Sequence, residues 1–137
     1  MRSLIAMVLC SMSLGAMPAS AHHSLAAYVM STYRTVDGTV KTFQWTNPHA
    51  KMTLVVPTAN GGSQEWSFEG GSIGRLMSGG FIREAVAPGD KITVAYNPRR
   101  DRVIGGFFIA VTTADGKTYS IDRYKQLQGT VSPESEN

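Results

Sequence analysis

Residues 64–80 read QEWSFEGGSIGRLMSGG, and within this stretch the chain passes from one kind of structure to another. Gln64 to Glu69 alternates, with Trp66 and Phe68 on one side of an extended chain, the pattern of a half-buried strand. Gly70-Gly71 breaks the alternation. Ser72 then stands where a helix N-cap belongs, because its side-chain oxygen can accept from a backbone N–H that the first turn leaves free. Ile73, Leu76 and Met77 follow at i, i+3 and i+4, which predicts a short helix over residues 73–78 with one buried stripe. Gly79-Gly80 stops it.

Working outward, the pattern is β on both sides. Val36 to Trp45 is rich in β-branched and aromatic residues and predicts a first strand, with its buried face left open. Thr46-Asn47-Pro48-His49 is a turn, since Pro48 fixes its own φ and turns Asn47 away from helix. Lys51 to Val56 predicts a second strand with Met52, Leu54 and Val56 on one face, and Ala59-Asn60-Gly61-Gly62 a hairpin loop. Beyond the helix, Pro88-Gly89-Asp90 turns into a fourth strand, Lys91 to Tyr96. Asn97 to Asp101 is a polar loop. Val103 to Thr113 predicts a fifth strand with Gly105-Gly106 as a bend or bulge, and Lys117 to Ile121 a last short one. Three strands, a short helix and then further strands predict a mainly β fold: a small five-stranded OB-like barrel with its helix between strands 3 and 4. A small β-sandwich is the alternative.

The start of the chain has a different character. Met1-Arg2 is followed by an uncharged run, Leu4 to Met17, and then Pro18-Ala19-Ser20-Ala21. That order is the one found in a cleavable secretory signal peptide. The apolar run is shorter than the roughly 20 residues that a bilayer span needs, so no membrane anchor is expected. Ala19 and Ala21 place small side chains three and one positions before the bond, which favours cleavage after Ala21. The expected organisation is a leader over 1–21, one β domain over 22–130 and a polar, disordered tail over 131–137. The expected location is periplasmic or secreted. The single cysteine, Cys10, lies in the leader, so the domain must fold on its apolar core alone. Removing Arg2 with the leader leaves 12 Lys and Arg against 10 Asp and Glu. That excess is too small to suggest a nucleic-acid partner.

The chain has three histidines, His22, His23 and His49. Cleavage after Ala21 would make His22 the first residue, with a free amine and an imidazole able to chelate one metal. His49 can complete a three-nitrogen set, and His23 is a spare ligand. Such a set suits Cu(II), which favours tetragonal nitrogen coordination. Zinc is less suited, because no cysteine is available. The lead-in from His22 to Tyr33 could span ~40 Å and the first strand about 33 Å, so His22 can be brought to the Asn47-Pro48-His49 turn. The competing reading is that the terminal histidines are a solvated end and His49 merely bonds a loop carbonyl. Met52 and Met77 fit core positions better than copper ligands.

Other residues could form a ligand surface. Glu69 beside Gly70-Gly71 is a candidate site carboxylate, Trp45 and Trp66 could wall a pocket, and Arg99, Arg100 and Arg102 form the one basic cluster, suited to an anion. No nucleophile motif, phosphate loop or carboxylate pair marks the chain as an enzyme.

The segments Ala21-His22-His23-Ser24, Trp45-Thr46-Asn47-Pro48-His49-Ala50, Trp66-Ser67-Phe68-Glu69-Gly70-Gly71 and Pro88-Gly89-Asp90, in this order, resemble a family of short exported bacterial proteins that carry a domain of unknown function. The resemblance runs from about Ala21 to Ile121. It implies export and a single domain, and it makes the His-His-Ser start and the Asn-Pro-His turn parts of a family pattern. It supplies no activity. Lys51 and Leu25 depart from that pattern where aromatic residues would stand. The expectation is an exported copper carrier or buffer using His22, His49 and His23. A metal-free module binding a ligand or an envelope protein, or a structural subunit, is the rival.

Overall fold

The computed structural model describes residues 25–130 and the backbone pairing of residues 134–135. The leader, its cleavage point, His22 and His23 lie outside the described residues. The elements run β1 (Arg34–Gln44), β2 (Lys51–Pro57), β3 (Ser63–Glu69), α1 (Ile73–Ser78), β4 (Lys91–Pro98), β5 (Gly105–Thr113), β6 (Thr118–Ser120), α2 (Asp122–Gln128) and β7 (Glu134–Ser135). Strand neighbours follow the path β1–β2–β3–β5–β4 and back to β1. This is a closed five-stranded barrel, with α1 between strands 3 and 4 as the sequence predicts. The barrel architecture, not the sandwich, is the one adopted.

β1 is long because it serves two neighbours. Its first half, Arg34 to Thr39, pairs with β4, and its second half, Thr39 to Gln44, pairs with β2, with a register shift between Val40 and Thr42. Val36 and Val40 supply its buried face, which the sequence left open. Trp66 and Phe68 of β3 point into the core, as their alternation requires. β5 is buried along Gly105–Val111 because both of its faces are covered: Tyr28 packs on Phe107 on one and Phe81 on Phe108 on the other. A strand covered on both faces reads as a continuous apolar run.

Closure is made by a short parallel seam, Ser67↔Gly105, Phe68↔Gly106 and Glu69↔Phe107. Gly105 has φ +98°, and a Cβ there would lie 1.9 Å from the Ser67 carbonyl oxygen. Gly70 fits under a ring: its Cβ would lie 2.2 Å from Phe108 Cζ. No other residue type allows the backbone this close.

Several local readings shift. β5 starts at Gly105 rather than Val103, because the left-handed turn at Gly105 breaks the extended run. Val103 and Ile104 are left exposed in the loop. Of the predicted helical stripe only Leu76 is fully buried, while Met77 is 60% exposed, so α1 contributes one anchor rather than three. β6 is shorter than predicted and runs into α2, which the sequence reading had left unassigned. Glu134–Ser135 pair in parallel with Arg34 and Thr35 of β1; the rest of the tail over 131–137, and the disorder expected of it, lies outside the described residues.

The lead-in is tied down along its length. The Asn97 side-chain amide donates to Thr32 O at 2.6 Å, Val29 N–H to Pro98 O at 2.8 Å, and Arg100 N–H to Ala27 O at 2.9 Å. Arg100 Nε donates to Ala26 O at 3.1 Å, and Arg123 Nε of α2 to Met30 O at 3.1 Å.

Gly105→Ala is expected to destabilise the domain by about 3 kcal/mol, from the positive φ and the clash together. Gly74→Ala, where an added Cβ meets nothing within 4 Å, should be neutral or stabilise by up to about 1 kcal/mol, since alanine is the better helix former. Urea unfolding of the two variants checks both signs.

Candidate functional site

The β1–β2 turn is built to hold His49 in place. Thr46 Oγ1 donates to His49 O at 3.2 Å. Asn47 Oδ1 accepts from Ile73 N–H at 3.0 Å, so the turn fastens the start of α1, while Ser72 caps the same helix through Arg75 N–H. Ala50 and the Gly70-Gly71 corner exchange backbone bonds, Gly70 N–H to Ala50 O at 2.8 Å and Ala50 N–H to Gly71 O at 3.1 Å. The β2–β3 ladder thus continues past its strand ends and brings His49 beside Glu69.

His49 Nδ1 lies 3.0 Å from Gly70 O and 2.9 Å from Glu69 Oε1. Both partners are acceptors when Glu69 is ionised, so in the neutral imidazole the proton sits on Nδ1 and Nε2 carries the lone pair. Nε2 has no hydrogen-bond partner among the described residues, and the side chain is about one-third exposed. The other oxygen of Glu69 accepts from the Tyr28 hydroxyl at 3.2 Å. Tyr28 is buried, packs on Phe107 with ring centres 5.6 Å apart, and pairs with Arg99 as an antiparallel bridge. Burial, and then the Glu69 carboxylate, push its phenol up to about 12; the Arg99 guanidinium, 6.0 Å from the ring centre, pulls the other way. Arg99 itself is clamped by Asp101, Nε to Oδ1 at 2.9 Å and Nη2 to Oδ2 at 2.6 Å, which holds the Asp101 carboxyl down at about 2.

The structure therefore joins His49, Glu69, Tyr28 and Arg99 into one chain of contacts. Sequence reasoning missed Tyr28. Its only signal is that it is one of two tyrosines in the lead-in, the other being Tyr33. Trp66, Arg99, Arg100 and Arg102 share a cleft. Trp45 does not join them: it packs on Phe43 and lines a separate depression with Val86 and Pro88. Met52 is core, as expected. Among the described residues no group of three or more His, Cys, Asp and Glu side chains is gathered to hold a metal. His49 and Glu69 make two, and the other histidines precede the described residues. No helix of these residues is long and apolar enough to cross a membrane.

A family model, that of the family of unknown function DUF6152, matches residues 9–108. The chain is a DUF6152 protein. The matched stretch includes the lead-in, the His49 turn, the Glu69 corner and the arginine loop of this DUF6152 domain, while β6 and α2 lie beyond it. No curated protein and no solved structure matches the chain.

The Tyr28 phenol titrates above the ordinary value of 10.0 in the folded protein. Its contribution to stability is thus intact below that pH and is lost as pH climbs through about 12. In a spectrophotometric titration, Tyr28→Phe should remove a late-ionising phenol. Glu69→Gln should move that phenol to lower pH. An unchanged late phase in Glu69→Gln would separate the two side chains.

Proposed function

We propose that this DUF6152 domain is an exported, periplasmic copper-binding protein, a carrier or buffer. Copper would be held by the amine and imidazole of a mature amino-terminal His22 and by Nε2 of His49, with His23 in reserve. The observation that carries this reading is the setting of His49. Its Nδ1–H is fixed by a carboxylate and a backbone carbonyl, the second-shell arrangement that orients metal-binding histidines and makes the other nitrogen a better donor.

A second feature supports it. The anchored lead-in places Tyr28 on the same carboxylate that holds His49. His22 stands three positions before Leu25, the first described residue of the anchored lead-in, and that length of chain reaches at most ~10 Å. The reading asks those three residues to carry the terminal nitrogens back to His49. A set of nitrogens without thiolates suits Cu(II). Each donor must lose its proton to bind, so affinity falls as pH drops.

Isothermal titration of Cu(II) into two forms of the mature protein tests the reading. One form begins at His22, verified by intact mass, and the other carries one extra residue before it. The expected result is tight one-to-one binding that the extra residue weakens by about tenfold or more, about 1.4 kcal/mol. His49→Ala should weaken it further, and Glu69→Gln should weaken it less than His49→Ala. Equal, weak binding by both forms would overturn the proposal.

A further inference from the structure

The arginine loop between β4 and β5 frames a cleft of about 560 Å³ at the barrel mouth. Its volume falls in the range of small-molecule sites, about 300–1,000 Å³. Arg34, Arg99, Arg100 and Arg102 line it, and among the described residues no carboxylate does. Asp101, the one acid in this loop, is turned onto Arg99 and onto Val103 N–H. The charge of Arg99 is thus answered locally. Arg100 spends its Nε on Ala26 O. The Arg102 guanidinium has no partner among the described residues.

Arg102 also has φ +60°, the one positive φ outside glycine among the described residues. Such a backbone conformation costs an arginine on the order of 1 kcal/mol, and it is kept only where the surroundings or a function demand it. Glycine would sit there without strain. The wall beside it is apolar. Val103 and Ile104 are 55% and 38% exposed, two neighbours among the few large hydrophobic residues left open to solvent, and Trp66 closes the floor.

We infer that this cleft binds a small organic anion, with a phosphate or carboxylate head held by Arg102 and Arg100 and an apolar body laid against Trp66, Val103 and Ile104. Guanidinium groups match the planar, two-oxygen geometry of such heads and bind them through paired N–H donors. The site uses none of the histidines, so it stands whether or not the copper reading holds.

Trp66 lines the cleft and Trp45 lies elsewhere, so Trp45→Phe leaves Trp66 as the only tryptophan and its emission as the readout. Phenyl phosphate is the probe, added to the mature protein in this background. The expected result is a saturable change in Trp66 emission, with inorganic phosphate binding about tenfold more weakly for want of the apolar body. Arg102→Gly should weaken phenyl phosphate by about tenfold or more while leaving the urea midpoint unchanged or raised, because it relieves the positive φ. Arg75→Gln, an exposed arginine on α1, should change nothing. Unaltered Trp66 emission, or equal binding by Arg102→Gly, overturns the proposal. So does sedimentation with phosphatidylglycerol vesicles in the absence of any response to phenyl phosphate, which would make the loop a reader of membrane surfaces.

Discussion

The parallel seam between β3 and β5 is only three residue pairs long, yet the barrel closes through it and the candidate site hangs from it. Strands this short hold little by hydrogen bonding alone, at about 1 kcal/mol net for each bond. What secures the seam is the closeness that glycine permits. With Gly105 against the Ser67 carbonyl and Gly70 under the Phe108 ring, β3 enters the core far enough to bury Trp66 and Phe68. The same register sets Glu69 opposite Phe107, and Phe107 is the surface on which Tyr28 rests. One backbone constraint thus fixes the carboxylate, the phenol that bonds it and, through Gly70 O, the imidazole of His49.

Most of the fold was legible because it is written in local chemistry. The Ser72 cap, the Gly-Gly corners, the Asn-Gly hairpin and the alternation of Trp66 and Phe68 each act over a few residues. They appear in the structure at or within two positions of where they were read. Met77 was misread because i, i+3, i+4 spacing does not say how wide the buried stripe is, and a six-residue helix lying on a barrel end buries a single position. α2 was missed because its two apolar contacts, Tyr124 on Tyr33 and buried Leu127, are too few to make a period. The start of β5 was misplaced because Val103 and Ile104 have strand propensity while the geometry is decided by Gly105 after them.

The site was legible only in part, for a reason of distance along the chain. His49 and Glu69 were each singled out, but nothing local pairs residues on different strands. Tyr28 and Glu69 are 41 positions apart, and their bond exists only once the barrel has closed. The proposed anion cleft depends likewise on Trp66 from the third strand and Arg102 from a loop much later in the sequence. The two sites also share a residue. The Tyr28 backbone pairs with Arg99 at the rim of the cleft while its hydroxyl reaches the carboxylate behind His49.

The anchoring of the lead-in sets an order of assembly. Its carbonyls at Ala26 and Ala27 are gripped by Arg100, more than seventy positions further on, and Val29 by Pro98. Contacts that close so long a loop form after the shorter-range pairings have brought their ends together. The arm is nonetheless part of the core it closes over: Tyr28 and Tyr33 are buried with the strand residues, so releasing the arm would expose the barrel's own interior.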